Sequence, residues 1–256
     1  VQAWMAWGPE CVHRLRGMFA FAIWDQREQT LFMARDRMGV KPLHYALLTD
    51  GTLVFGSELK VITAHPGFER QIDPKAVEDY FALGYVPDPR CIYRQAHKLP
   101  PAHTLTWRRG QAGLPTPKPY WDVHFTLDNP ISLADAEAEL RERVRESVRL
   151  RMIADVPLGA FLSGGVDSSA VVATMAGLSK LPVRTCAIGF DDPKFNESAF
   201  AQMVADRYHT DHRLEIVQSD DFDLIDTLAR LYDEPFADSS ALPTYRVCQM
   251  ARKHVT

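Results

Sequence analysis

Cysteine is scarce in this 256-residue sequence: Cys11, Cys91, Cys186 and Cys248 stand far apart and form no Cys-x-x-Cys pair. Neither a disulfide framework nor a thiolate zinc site is indicated, and buried free thiols are expected. Charge of one sign is equally lacking, because 29 Lys and Arg nearly cancel 33 Asp and Glu and neither end carries a run of either. That balance excludes a polyanion-binding or membrane-surface patch as the organising feature. No apolar run approaches the ~20 residues needed to span a bilayer, and Val1 to Glu10 has neither the basic start nor the small-residue cleavage site of a signal peptide. A cytoplasmic protein without nucleic-acid partner or membrane segment is expected. Repeats and low-complexity tracts are missing, and so is a GxxxxGK[ST] loop, which disfavours γ-phosphoryl transfer of the kinase or GTPase kind.

What is present suffices for real cores, since 46% of the residues are hydrophobic. The start, Val1 to Trp7, reads as a helix already under way and the end, His254-Val255-Thr256, as the beginning of a strand, so the sequence is expected to continue beyond both. From residue 18 to 57 short β-prone runs alternate with turns, and Asp50-Gly51 between two such runs signals a hairpin. Asp73-Pro74 predicts a capped helix through Leu83. A stretch dotted with Pro87, Pro89, Pro100, Pro101, Pro115, Pro117 and Pro119 then reads as linker.

A second regime opens near Ser132. Ala136, Leu140, Val144 and Val148 recur every four residues and predict an amphipathic helix with one buried stripe. Beyond it strands and helices alternate: Val156–Leu162, Ser168–Leu178, Val183–Phe190, Glu197–Tyr208, His212–Val217 and Phe222–Tyr232. That order predicts a parallel sheet covered on both faces.

Between the first of these strands and its helix stands Leu162-Ser163-Gly164-Gly165-Val166-Asp167-Ser168-Ser169. In that position backbone N–H groups can be aimed at an anion with the positive end of the helix behind them. Two glycines allow close approach, since a Cβ would collide with a phosphate. Ser163, Ser168 and Ser169 add hydroxyl donors, and Asp167 is suited to hold Mg²⁺ against phosphate oxygens. A ligand-free glycine turn capped by Ser and Asp is the competing reading. Ile188, near the end of the next strand, and Leu162 could frame an adenine through their backbones or could be plain strand core. Glu234, Asp238 and Ser239 gather carboxylates and a hydroxyl before a helix, where Asp238 or Ser239 could cap it or touch substrate.

Ser-Gly-Gly-Val-Asp-Ser resembles the PP-loop of the ATP pyrophosphatases, which implies ATP gripped by its pyrophosphate while the α-phosphate is attacked. Three upstream segments, Leu15–Asp25, Ala34–Leu43 and Phe55–Lys60, resemble the later part of the glutaminase domain of asparagine synthetase B. The resemblance covers nearly the whole chain. It implies an α/β protein: residues 1–125 as the C-terminal part of an N-terminal-nucleophile glutaminase α+β domain with its linker, and residues 126–256 as the first part of a doubly wound PP-loop domain. Asp79–Arg90 and Leu99–His103 look most like the amidotransferases of exosortase and exopolysaccharide systems. Two positions depart from the family, Ala102 and His209, where glycine is usual.

The implied activity is glutamine-dependent amide formation: glutamine hydrolysed by an N-terminal cysteine, ammonia passed to a second site, and aspartate activated by ATP with Mg²⁺ to receive it, in an enzyme compatible with a homodimer. The same chemistry on another carboxylate, or a non-catalytic nucleotide-binding scaffold, are the alternatives. Arg35, Arg37 and Lys41 are implied to be framework or interdomain residues, with surface salt bridging as the other reading. None of the family's glutaminase nucleophile residues is found here, Cys11 falling at a position without that role, so the chain by itself is expected to be inactive.

Overall fold

A computed structural model describes residues 1–126, 130–194, 196–217 and 224–255. The chain divides into two compact units, one formed by Val1–Phe125 with Ala229–Ala237 and the other by Thr126–Leu228 with Asp238–Thr256.

The first unit is built as four layers: helix, sheet, sheet, helix. Strands β1 (Ala20–Asp25), β2 (Thr30–Arg35), β6 (His103–Arg108) and β7 (Lys118–Pro119) form an antiparallel sheet in that order. A second antiparallel sheet runs β4 (Leu53–Gly56), β3 (His44–Leu47), β5 (Ala96–Lys98). Alternation along β2 makes the layering, because successive side chains of a strand leave on opposite faces. Leu31 and Met33 join Leu105, Leu43, Tyr45 and Leu99 between the sheets. Phe32 and Ala34 instead meet Cys11, Val12 and Trp4 from helix α1 (Gln2–Trp7) and the 3₁₀ turn Gly8–Arg14. On the far side, Ala46 and Ala96 pack on Leu59, Ile62 and Ala76 from helices α2 (Leu59–Thr63) and α3 (Pro74–Leu83).

The predicted hairpin is present, with His44 opposite Gly56 and Leu47 opposite Leu53. Helix α3 starts and stops where its caps require: the Asp73 carboxylate accepts from Lys75 N–H at 3.0 Å, and Gly84 ends it in the left-handed conformation. The proline-dotted stretch corrects the expectation of a linker, since it contains β5, β6 and β7. Thr104-Leu105-Thr106-Trp107 keeps strand alternation, and the prolines fall outside the ladder that β6 shares with β2.

The second unit holds a parallel sheet of β8 (Gly159–Phe161), β9 (Arg184–Phe190) and β10 (Asp211–Val217), in the order β10-β9-β8. Helices α5 (Val166–Leu178) and α6 (Ser198–Tyr208) make the crossovers, and α8 (Ala241–Ala251) packs on β9 and β10. Side chains of β9 again separate two faces. Ala187 packs with Val172, Ala201 and Ala205 of α5 and α6, whereas Cys186 and Ile188 pack with Val247, Met250 and Ala251 of α8. The α/β sheet is thus covered on both faces, as the alternation of elements predicts.

Several boundaries differ from those read in the sequence. Helix α4 (Leu133–Arg151) begins at its Ser132 cap, yet its stripe is buried most deeply toward the C-terminal end: Val144 and Val148 join Met175, Ala176 and Leu178 of α5 and Val183, just before β9, while Leu140 is 62% exposed. The first strand shrinks to Gly159–Phe161, and its helix begins two residues earlier than expected, at Val166. Helix α7 covers Ile225–Leu231; the expected start at Phe222 lies outside the described residues. His254 lies in the turn that closes α8, and Val255, whose N–H donates to Ala251 C=O, is in no strand; Thr256, the last residue of the expected strand start, lies outside the described residues. Three of the four thiols are buried, but Cys248 is exposed.

Candidate functional site

The loop from Leu162 to Gly165 leaves the C-terminal end of β8 and turns directly into α5. Leu162 anchors it, since its side chain is fully buried and its N–H donates to Cys186 C=O at 2.9 Å. Gly164 has φ +84°, and a Cβ there would come within 2.5 Å of Phe200 Cβ and 2.6 Å of Ala201 N. The glycine is therefore demanded by the left-handed backbone and by the first turn of α6. That corrects the expectation that both glycines make room for a ligand. Only Gly165 is free of backbone neighbours, its nearest contact being Ser163 Oγ at 3.3 Å.

Gly165 is also the N-cap of α5, with no side chain supplying a cap. The first-turn N–H groups of an α-helix have no intrahelical acceptor, so those of Val166, Asp167 and Ser168 point out of the helix start unclaimed. Around them the hydroxyls form a small network: Ser163 Oγ and Ser168 Oγ are 3.0 Å apart, Ser163 Oγ accepts from Gly165 N–H, and Ser168 Oγ donates to Gly165 C=O. Ser169 Oγ is buried and has no partner. Ser163, Gly165, Val166 and Asp167 are exposed. The arrangement is a shallow basket of amides and hydroxyls at the positive end of a 13-residue helix.

Ile188 stands two residues past Cys186, the partner of Phe161, the last paired residue of β8. Its side chain belongs to the cluster with Val247 and Met250. Peptide groups of a parallel strand alternate in direction, so the N–H and C=O of Ile188 point toward the β8 side, as the Cys186 carbonyl does, but beyond the end of that strand.

The remaining candidates are divided between the units. Glu234 lies in the first: one carboxylate oxygen accepts from Ile92 N–H at 2.6 Å and the other pairs with Lys98. Asp233 beside it accepts from Leu59 N–H and pairs with Lys60 at 3.2 Å. Asp238 and Ser239 belong to the second unit. The cap of α8 is neither of them but Ser240, whose N–H donates to the Asp238 carboxylate at 2.8 Å. That bond holds the Asp238 carboxyl below its usual range. Among the described residues no group of three or more His, Cys, Asp and Glu side chains gathers that could hold a metal by itself.

In the first unit the Arg35-Asp36 dipeptide resolves as framework. Arg35 donates to Lys41, Gly39 and Leu99 carbonyls and to Asp88, and Asp36 accepts four backbone N–H bonds. Arg37 lies over the Trp121 ring at 5.4 Å. Cys11 is buried among Phe32, Ala34 and Trp4, and burial pushes its thiol up, the opposite of an activated nucleophile.

Comparison with known proteins places these two units in sequence space. Residues 1–121 match the family model described as a glutamine amidotransferase domain, and residues 139–256 match that of asparagine synthase. The pair defines a glutamine amidotransferase segment followed by an asparagine synthase segment. Asparagine synthetase (glutamine-hydrolyzing) 1 of Bacillus subtilis is 32% identical over 96% of this chain, and number 3 of that organism is 36% identical over 78%. A Methanocaldococcus jannaschii relative, whose name carries the words asparagine synthetase (glutamine-hydrolyzing) 2, is 39% identical over 97% of the chain. The chain belongs to the glutamine-hydrolysing asparagine synthetase family. It spans 48% of the length of the M. jannaschii relative and 38% and 33% of the two from B. subtilis. No helix among the described residues is long and apolar enough to cross a membrane.

Proposed function

We propose that Ser163–Ser169 cradles the pyrophosphate portion of ATP, and that the whole protein is a glutamine-dependent, AMP-forming amide ligase with aspartate as its default acceptor. The carrying observation is the open first turn of α5 behind a Gly164 fixed in a left-handed conformation. The amides of Gly165 to Ser168 and the hydroxyls of Ser163, Ser168 and Ser169 would hold phosphate oxygens. Asp167 at this anion site repels a phosphate unless a cation lies between them, and it would hold Mg²⁺, which when bound neutralises charge on the leaving pyrophosphate. The outward-facing peptide groups of Ile188, with Leu162 across from them, would frame the base. Carboxylate attack on the α-phosphate releases pyrophosphate, and ammonia then displaces AMP to form the amide.

Asp238 and Ser239 are proposed as acceptor-side residues, whereas Glu234 has both oxygens engaged by Ile92 and Lys98 within the first unit. Cys11 takes no part in glutamine hydrolysis on this reading. The deciding measurement is exchange of labelled pyrophosphate into ATP by the full-length protein. Exchange that requires aspartate, and that Asp167→Asn suppresses, supports the proposal. Exchange driven by a different carboxylate moves the substrate, and none with any acid refutes the ligase reading.

A further inference from the structure

We infer that Asn196 is a positioning residue for the cradle, acting through the first turn of α6, and that Gly189 provides the space it needs. The inference rests on the reading of Ser163–Ser169 as a nucleotide site. Gly164 abuts the backbone of Phe200 and Ala201 so closely that the shape of the loop is set by where α6 begins. What fixes that beginning is not the N-cap residue, since the Glu197 side chain makes no cap bond. Instead Asn196 Oδ1 accepts from Ser198 N–H at 3.0 Å.

Asn196 in turn sits against β9. A Cβ on Gly189 would come within 2.9 Å of Asn196 Oδ1 and 3.2 Å of Ser198 Cβ. The backbone of Gly189 is not left-handed, and glycine inside a strand weakens it, so close approach is the reason for glycine here. The third neighbour, Ile216 Cδ1 at 2.7 Å, is the tip of a half-exposed side chain that can turn away, whereas Asn196 cannot move without releasing Ser198. The result is a contact chain from the end of β9 through Asn196 and the start of α6 to Gly164. It links the strand that carries Ile188 to the loop on the other side of the proposed nucleotide.

The test uses the full-length protein with Asn196→Ala, Asn196→Asp, which keeps an acceptor, and Gly189→Ala. Loss of such a cap is worth about 1 kcal/mol, or roughly five-fold in an equilibrium. Asn196→Ala should raise KM for ATP in pyrophosphate exchange about five-fold and leave KM for the acceptor acid unchanged, and the Ser198–Ala201 amides should exchange hydrogen faster. Asn196→Asp should restore both, and Gly189→Ala should reproduce the defect. Asn196→Ser, with a shorter acceptor, serves if the alanine variant does not fold, and should fall between alanine and wild type. An unchanged KM for ATP in Asn196→Ala, or an aspartate variant as impaired as alanine, overturns the inference. A wild-type protein that neither binds ATP nor exchanges pyrophosphate sinks the cradle reading and this inference together; one that does both, with an indifferent Asn196→Ala, sinks the positioning role alone.

Discussion

Two polar loops, one in each unit, leave the end of a strand and end in opposite chemical conditions. After β2, the Asp36 carboxylate receives N–H bonds from Phe19, Met38, Val40 and Lys41, and the guanidinium of Arg35 spends its donors on three carbonyls and Asp88. After β8, the first-turn amides of α5 stay open, Gly165 has no side-chain cap and Ser169 Oγ is buried without a partner. Saturation marks the first as scaffold, because buried polar groups left unpaired are costly. Openness leaves the second with donors free for a ligand, the feature on which the proposed nucleotide site rests. The glycines fit the same division: Gly39 is held against Pro101 and Arg35, while Gly165 faces almost nothing.

The largest effects should come from breaking the saturated loop. Arg35→Ala strands three carbonyls and a carboxylate, and should cost about 3–5 kcal/mol of stability in denaturant unfolding. Asp36→Asn turns an amide toward N–H donors and should cost a comparable amount, about 3 kcal/mol. The latter loop also carries a pH signature. Burial pushes the Asp36 carboxyl up, but the backbone N–H groups of Lys41, Val40, Phe19 and Met38 together outweigh it and hold the pKa below the usual value. A depressed pKa in the folded state means a contribution fully present above about pH 4, the unfolded value, and lost as pH falls through the folded one. Unfolding midpoints measured from pH 6 downward should fall less steeply for Asp36→Asn than for wild type.

A smaller loss is expected on the open side. Gly164→Ala combines left-handed strain with a collision against the Phe200–Ala201 backbone, and should cost about 2–3 kcal/mol in the stability of the second unit. The contrast sharpens if Gly165→Ala is measured beside it. With only a hydroxyl 3.3 Å away and no positive φ, that change should cost only the loss of a glycine N-cap, about 0.5–1 kcal/mol, and should weaken ATP binding as well. Equal destabilisation by both would erase the distinction between the two glycines.

How far all this was legible in the sequence depended on whether the determinant was local. The α3 cap at Asp73, the Asp50-Gly51 hairpin and the strand-loop-helix setting of Ser-Gly-Gly-Val-Asp-Ser are local, and the structure has each. Strand β6 was hidden because the prolines on either side of it advertise a linker, while its strand character comes from pairing with β2, some seventy residues earlier. The exposed half of the α4 stripe was equally unreadable, since periodicity tells which residues share a face and not whether anything packs on it. At the proposed cradle, the motif does not disclose the reason for Gly164, which lies in a helix thirty-odd residues further on. Nor did Asn196 carry any signal short of its contact with Gly189.

The smallest effects fall at Ala102 and His209, which stand where the family pattern leads one to expect glycine and which both have positive φ, 57° and 51°. Replacing either by glycine relieves about 1–2 kcal/mol of left-handed strain and gives back about 0.5–1 kcal/mol in chain entropy. His209 ends α6 in solvent, so little else changes and His209→Gly should raise stability by about 0.5–1 kcal/mol. Ala102 is different: it is 4% exposed, its N–H donates to Asp36 C=O and its C=O accepts from Tyr120 N–H. Removing its buried methyl forfeits about 0.8 kcal/mol of burial, which cancels most of the relief, so Ala102→Gly should be close to neutral. Matched unfolding curves decide it. An Ala102→Gly gain as large as that of His209→Gly would mean that the methyl is not packed in the saturated loop after all, and that the polar contacts around Asp36 hold this region without it.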